Sequence, residues 1–133
     1  MTPITFVIPG KPFGKQRPRF SRKAGRAYTP AETVSYERTV ATIAALHFPA
    51  PFTGPVRLEV HAMFKPADSW SHKKKLASNG RPHVQKPDLD NLCKGVSDAM
   101  NRIAYADDSQ ISEIRCSKEW GDCDQIAVSV VPL

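Results

Sequence analysis

Four acids and one lysine near the middle of the chain have the types and spacing that could hold a metal ion. They are Asp88, Asp90, Lys94, Asp107 and Asp108. Several carboxylates that converge on one point repel one another unless a divalent cation joins them. Because all the candidate ligands are oxygen atoms, the ion that fits is Mg²⁺, with Mn²⁺ as a substitute. Such an ion can activate water against a phosphodiester, and a nearby lysine can offset the negative charge of the transition state.

The local backbone decides whether Asp88 and Asp90 can act together. On a regular helix, residues two apart point about 200° from each other, whereas an extended segment places them on one face. Pro87 favours a segment that is extended as far as Asp90, where a helix would begin. Lys94 would then lie one helical turn after Asp90, on the same side.

A purely structural explanation of the same residues stays open. Aspartate is a common N-terminal cap of helices, and the Asp107-Asp108 pair has the composition of an ordinary turn before a strand. Lys94 has the spacing of a surface ion pair with Asp90 or Asp98. These alternatives predict a protein without a metal site.

Charge is divided unevenly along the chain. Residues 1–87 hold 15 Lys/Arg and 4 Asp/Glu, whereas residues 88–133 hold 4 Lys/Arg and 9 Asp/Glu. The net charge is therefore +11 in the first part and −5 in the second. The positive part favours a polyanion such as nucleic acid as the partner, and the acids need a cation between them and its phosphates.

Two basic segments, predicted as loops, carry most of the positive charge. The first basic segment (residues 11–26) and the second basic segment (residues 65–86) together hold 13 of the 19 Lys/Arg. Among the four histidines, His72 and His83 are candidate phosphate contacts, and His47 and His61 are interpreted as core or loop residues. The side chains predicted to bind DNA are Lys11, Lys15, Arg17, Arg19, Arg22, Lys23, Lys73, Lys74, Lys75 and Lys86.

Hydrophobic periodicity predicts one small α/β domain over residues 1–133. Strands are predicted over 4–8 and 56–64, and a closing pair over 111–120 and 125–131 is joined by Gly121-Asp122. A first helix begins with Thr29 as N-cap and has Val34 and Val40 on its apolar face. A second helix after Pro87 has an apolar face made by Leu89, Leu92, Cys93, Val96, Met100 and Ile103. The order β-α-β-α-β-β implies a small mixed β-sheet packed with two main helices.

The remaining composition excludes some protein classes. No apolar run reaches membrane-spanning length, and no basic stretch precedes an apolar run at the N-terminus, so neither a membrane segment nor a secretory signal is expected. Cys93, Cys116 and Cys123 lack zinc-site spacing, and we expect buried thiols in a reducing cytoplasm. A Cys116–Cys123 disulfide across a hairpin is the alternative. No small-molecule cofactor is expected.

Two segments of the chain resemble the RusA family of Holliday-junction resolvases. The first is Asp-Leu-Asp-Asn-Leu-Cys-Lys-Gly-Val-Ser-Asp-Ala-Met from residue 88, and the second is Tyr-Ala-Asp-Asp-Ser-Gln-Ile from residue 105. The resemblance implies that Asp88, Asp90 and Asp108 are metal-binding catalytic residues. It also implies that Lys94 is the functional lysine and that Asp107 matches a further acid of the family.

The resemblance also implies a substrate and an assembly. Members of this family are Mg²⁺-dependent homodimers that place paired nicks across a four-way DNA junction during recombination and repair, and they occur in bacteria and phages. Two other functions stay open from the residues alone. One is a DNA- or RNA-binding module without catalysis, and the other is a nuclease for flaps or other branched DNA that uses the same acids.

Overall fold

The computed structural model describes residues 2–133 and follows the predicted order of elements, with additions. The strands are β1 (Ile4–Pro9), β2 (Arg19–Ser21), β3 (Arg26–Tyr28), β4 (Val56–Phe64), β5 (Ile111–Trp120) and β6 (Gln125–Pro132). The helices are α1 (Ala31–Ala45), α2 (His72–Ser78) and α3 (Leu89–Ala99), and a short 3-10 helix spans Asp108–Gln110. This confirms the predicted α/β class with a small mixed sheet.

The main sheet has the strand order β1-β6-β4-β5. Strand β6 is antiparallel to both β1 and β4, and β4 is parallel to β5. The predicted pairing of β5 with β6 is therefore wrong, because β4 lies between them. Residues 121–124 instead cross the end of β4, where the amide of Gly121 donates to the carbonyl of Phe64 at 2.9 Å. Two strand spacings amount to about 9.6 Å, which four residues can span.

One face of the sheet is buried and the other is polar. Every second residue of β4, from Val56 to Phe64, is buried, and these side chains share a core with Val40 of α1 and Leu92 of α3. Leu92 and Val96 are 0% exposed, and burying a side chain of that kind stabilises the fold by about 1.5–3 kcal/mol. The alternating burial of β4 explains its central place. The rigid packing of α3 on the sheet fixes the residues at its N-terminus.

Two regions that were predicted as loops contain regular structure. In the second basic segment, Ser71 caps α2 by accepting a hydrogen bond from the amide of Lys74 at 3.1 Å. In the first, β2 and β3 form a two-stranded ribbon whose turn includes Gly25 at φ +66°, a conformation that glycine adopts without strain. Both elements are exposed and charged, so neither leaves an apolar periodicity in the sequence.

Helix α1 begins one residue later than predicted. Pro30 rather than Thr29 occupies the N-cap position, and no side chain caps the helix. Thr33 is 1% exposed and Val34 is 42% exposed, so the predicted inward position of Val34 is wrong. The hydroxyl of Thr33 accepts a hydrogen bond from the amide of Gln16 at 3.2 Å. A polar side chain is thus buried here because it holds the first basic segment against α1.

The cysteines are free thiols. Cys93 is buried and Cys116 is half-buried, whereas Cys123 is exposed, so the expectation of a buried thiol is wrong for Cys123. The alternative Cys116–Cys123 disulfide is wrong, since Cys116 contacts Cys93 on α3 and the predicted hairpin does not exist. Within residues 2–133, no helix is both long and apolar enough to cross a membrane.

Candidate active site

The first turn of α3 presents the two acids of the Asp-Leu-Asp motif. Asp88 occupies the N-cap position with an extended backbone (φ −66°, ψ 144°), and the helix begins at Leu89, one residue before the predicted start. The side chain of Asp88 makes no capping hydrogen bond. The capping explanation therefore does not account for Asp88. Both Asp88 and Asp90 are exposed.

A cavity of about 440 Å³ between α3 and β5 brings distant residues together. Asp90 and Lys94 line it from α3, and Asp108 lines it from the short 3-10 helix that precedes β5. Asp98, one turn further along α3, lines the same cavity. Asp108 thus joins the acids of α3 at the open edge of the sheet.

Asp88 lies on a neighbouring cavity. This second cavity, of about 680 Å³, is lined by Asp88 and Asn91 together with the first basic segment. Lys11, Arg17 and Lys86 are among its lining residues. The first turn of α3 therefore lies between a cavity with three acids and a lysine and a cavity with one acid and several cations, and Asp88 and Asp90 do not line one common cavity as predicted.

The carboxylates do not form a ready-made metal cage. Among residues 2–133, no three His, Cys, Asp or Glu side chains are grouped as a metal site. Mg²⁺ does not require one, because it is usually held by one or two carboxylates and keeps several waters. Asp90 and Asp108 provide two hard oxygen donors on one cavity, with Asp88 beside them. The chemistry of this donor set fits a largely hydrated Mg²⁺ ion.

Asp107 and Asp108 have different environments. The Asp107 side chain accepts a hydrogen bond from the amide of Ser109 at 3.1 Å and forms a capping box with Gln110. Hydrogen bonds from Ser109 lower the pKa of Asp107 below its usual value. Asp107 does not line the cavity, whereas Asp108 does. The turn explanation thus describes Asp107, and Asp108 is the acid directed to the site.

Gln110 anchors the segment that carries Asp108. Its side-chain nitrogen donates to the carbonyls of Phe52 (2.8 Å) and Gly54 (2.9 Å), and its oxygen accepts from the amide of Asp107 (3.0 Å). Sequence reasoning missed this residue because its two carbonyl partners lie far away in the chain. Its three hydrogen bonds tie the turn that carries Asp108 to the segment that precedes β4.

Lys94 makes no ion pair within the described part of the chain. The acid expected as one of its partners, Asp98, is instead bound by Lys15, whose Nζ donates to Asp98 Oδ2 at 2.6 Å. Lys15 Nζ also lies 3.0 Å from Glu37 Oε1, as an ion pair without hydrogen-bond geometry. Within residues 2–133, Lys94 therefore lines the cavity without a direct ion-pair partner.

Lys15 differs from the other basic residues that were predicted to bind DNA. Partial burial would lower its pKa, but Asp98 and Glu37 outweigh that effect and raise the pKa above the usual value. Its side chain is only 20% exposed. Lys15 thus links the first basic segment to α1 and α3 and is not free for a phosphate.

The other predicted DNA-binding residues fall into three places. Lys11, Arg17 and Lys86 line the Asp88 cavity. The others are exposed or partly exposed on the β2–β3 ribbon and on α2, away from both cavities. They are Arg19, Arg22 and Lys23 on the ribbon and its turn, and Lys73, Lys74 and Lys75 on α2.

Lys118 is a further residue that the sequence did not indicate. Its Nζ donates to the carbonyls of Gln85 (2.7 Å) and Pro87 (2.9 Å) and so fixes the segment that leads into Asp88. Among the histidine candidates, His72 is exposed at the start of α2 and His83 is 5% exposed. His83 is packed between aromatic rings, so it is not an exposed phosphate contact.

A thiol pair lies behind the metal candidates. Cys93 and Cys116 line the cavity that holds Asp90 and Asp108. A hydrogen bond from Cys116 lowers the pKa of the Cys93 thiol, whereas that bond and burial raise the pKa of Cys116. These two residues form an apolar back wall for the cavity.

Comparison with known proteins identifies the family of this chain. A sequence profile that describes endodeoxyribonuclease RusA matches residues 9–131. An uncharacterized protein, YqaN of Bacillus subtilis (strain 168), is 36% identical over 135 residues, an alignment that covers 96% of this chain and 94% of that protein. The profile match spans both basic segments, α3 and β5. This chain belongs to the RusA family of endodeoxyribonucleases.

Proposed function

We propose that this protein is a Mg²⁺-dependent endonuclease that resolves four-way DNA junctions by paired nicks. The observation that carries the proposal is the convergence of Asp90, Lys94 and Asp108 on one cavity, with Asp88 on the cavity beside it. Membership of an endodeoxyribonuclease family supports the reaction class. The basic residues around the Asp88 cavity support a polyanionic substrate.

In this proposal, Asp90 and Asp108 hold the metal ion, and Asp88 contributes from the adjacent cavity. When bound, the ion supplies polarisation of the phosphoryl oxygen and a lowered pKa for the attacking water. Lys94 lies on the same cavity without an ion-pair partner in residues 2–133. Its free ammonium stabilises the charge that develops on the phosphate in the transition state. Asp107 acts indirectly by holding the turn that presents Asp108.

The DNA backbone is bound by the cations that surround the acids. Lys11, Arg17 and Lys86 share a cavity with Asp88, so a phosphate held there lies beside the proposed metal ligands. The ribbon and α2 add further exposed cations. These contacts are electrostatic and carry no base sequence. We therefore expect affinity to depend steeply on salt.

Two nicks on opposed strands require two active sites. One chain has one acidic cluster, so we propose that the working unit is a homodimer with a two-fold axis. Strand β1 lies at an edge of the sheet and offers one surface for the partner chain. Mixing the wild type with an Asp88→Asn subunit tests this on a supercoiled cruciform plasmid. A dimer predicts nicked circles from the mixed species, and unchanged linear product per active subunit would contradict it.

The central experiment compares cleavage of a synthetic four-way junction with cleavage of linear duplex of the same sequence, with and without Mg²⁺. Asp90→Asn and Asp108→Asn should each abolish junction cleavage and leave junction binding intact, because each removes a ligand charge but no basic residue. Asp122→Asn is the matched control, since Asp122 is an exposed acid in the β5–β6 connection. Wild-type cleavage by either cluster variant would remove that residue from the site.

Two alternatives share parts of this geometry. A DNA- or RNA-binding module without catalysis predicts no Mn²⁺ binding near α3, which calorimetry on the wild type and Asp90→Asn distinguishes. A nuclease for flaps predicts that flaps are cleaved in the presence of metal and that four-way junctions stay uncut. Faster cleavage of flaps than of junctions would replace the junction proposal.

A further inference from the structure

A third, smaller cavity lies beside the Asp88 cavity and has aromatic walls. Its volume is about 250 Å³, and Phe64, Trp70, His83 and Trp120 line it. The rings of Phe64 and His83 stack at 3.8 Å with an interplanar angle of 16°. Trp120 lies 4.4 Å from His83 and 4.8 Å from Trp70, measured between ring centroids. Four aromatic rings thus form one continuous wall.

Backbone pairing holds this wall in place. The segment from Gly80 to His83 runs along the free edge of β5: the amide of Gly80 donates to the carbonyl of Trp120 (2.8 Å), and the amide of Trp120 donates to the carbonyl of Arg81 (2.9 Å). The amide of His83 donates to the carbonyl of Lys118 at 3.1 Å. The rings are therefore carried by a paired sheet edge, which preorganises the cavity.

The cavity is positively charged. Lys11, Lys65 and Lys86 line it, against one acid, Asp124. The Asp124 carboxylate already accepts a hydrogen bond from the amide of Lys65 at 2.9 Å. Burial, together with the charges of Lys118 and Lys11, lowers the pKa of His83, so the imidazole is neutral at pH 7. Aromatic faces with lysines around them match a planar base attached to a phosphate.

The aromatic cavity adjoins the cavity that holds Asp88. Lys11 and Lys86 line both the aromatic cavity and the cavity that holds Asp88. A strand whose phosphate lies at Asp88 therefore has a neighbouring nucleotide within reach of the aromatic wall. Unstacking that nucleotide requires least energy where the duplex is already interrupted, as it is at a branch point.

We propose that the aromatic cavity binds a nucleobase unstacked from the DNA strand that is cut. This inference rests on the proposed function, since it takes the strand at Asp88 as the substrate strand. The base stacks against the exposed parts of Trp70 and Trp120, where Lys74 Nζ already lies over the Trp70 ring at 4.0 Å from its centroid, and the lysines that line the cavity hold its phosphates. The cavity would thereby favour branched or single-stranded DNA over continuous duplex.

The binding test uses fluorescence of the protein itself. The chain has 2 tryptophans, and both line this cavity, so their emission reports on it. The full chain is titrated without metal with a short single-stranded thymidine oligonucleotide, and separately with an abasic oligonucleotide of the same length and charge. We expect strong quenching and tighter binding for the thymidine oligonucleotide. Equal quenching and equal affinity would overturn the proposal.

Variants then locate the base. Trp70→Leu should weaken binding of a labelled thymidine oligonucleotide roughly tenfold, the size expected for one stacked base, and leave binding of the abasic oligonucleotide unchanged. Phe20→Leu is the matched control, because Phe20 is a 67% exposed aromatic residue on β2, among basic residues but outside the cavity. An equal loss in both variants would overturn the proposal. Because this binding is measured without metal, loss of junction cleavage with intact base discrimination would count only against the proposed function.

Discussion

Replacing Lys15 by methionine separates the two roles that a basic residue can have in this protein. The substitution keeps the length of the side chain but leaves the carboxylates of Asp98 and Glu37 without their shared cation. A hydrogen bond to a charged group contributes about 1.5–3 kcal/mol, and a fully exposed ion pair about 0–1 kcal/mol. The side chains of Lys15 and Asp98 are 20% and 25% exposed. The contribution of their interaction to the free energy of unfolding therefore lies between these two cases.

We therefore expect Lys15→Met to lower the free energy of unfolding by about 2 kcal/mol. For a chain of this size, that corresponds to a fall in Tm of about 8 °C. Because the folded-state pKa of Lys15 is raised above 10.5, this stabilisation is fully present from neutral pH up to about 10.5 and is lost on the alkaline side as pH rises through the folded-state pKa. Chemical denaturation at pH 7 and at pH 9 should give the same loss.

Arg17→Met is the matched control. Arg17 is exposed, has no ion pair in residues 2–133, and lines the Asp88 cavity. Its replacement should change stability by less than about 0.5 kcal/mol and reduce the slope of log affinity against log salt by about 0.9 on duplex arms. Lys15→Met should leave that slope unchanged. A flattened slope with wild-type stability in Lys15→Met would show that Lys15 binds phosphate and that the ion-pair reasoning is wrong.

Three further predictions concern single residues. Lys94→Ala should lower the single-turnover cleavage rate by roughly 10²-fold or more with little change in affinity, whereas weaker binding at an unchanged rate would make Lys94 a docking residue. Gln110→Ala removes three hydrogen bonds and should cost about 3 kcal/mol in denaturation, together with slower cleavage as Asp108 loses its anchor; unchanged cleavage would exclude the positioning role. Because the pKa of His83 is lowered from 6.5, the unfolded chain takes up a proton that the folded chain does not as pH falls below about 6.5. The free energy of unfolding of the wild type should therefore decrease as pH falls below about 6.5. His83→Phe should not show this decrease, and denaturation curves of both proteins between pH 5 and pH 8 test the difference.

Elements with a strong apolar pattern could be predicted from the sequence. Strand β4 alternates without exception, and α3 has an apolar face from Leu92 to Met100, so packing and local pattern agree. The placement of Asp90 and Lys94 on one side of α3 follows from helical geometry alone. The helix begins one residue before its predicted start, and Leu89, predicted on the apolar face, is 36% exposed at its first position, so that part of the prediction is wrong.

Features that depend on contacts between distant segments could not be predicted. The short connection at Gly121 is typical of a hairpin between β5 and β6. It instead crosses the end of β4, which pairs with both of these strands. The Lys15–Asp98 pair joins residues 83 positions apart, and Lys15 has no local feature that distinguishes it from Arg17. Helix α2 has no buried residue, so no apolar periodicity marked it. Composition identified Lys15 and Arg17 as basic residues, and only the tertiary structure shows that Lys15 forms an ion pair and Arg17 does not.

The parallel pairing of β4 with β5 has a consequence for how the active site comes into being. Residues 65–110 join these two strands and carry all the candidate acids. A nascent chain that has not yet delivered β5 therefore possesses Asp88, Asp90 and Asp108 but no wall to close the cavity between them. Pairing between segments so far apart along the chain forms late in folding. Chains in which β5 has not yet paired therefore carry the basic ribbon without a complete candidate site, and the proposed competence for cleavage arises only when β5 pairs with β4.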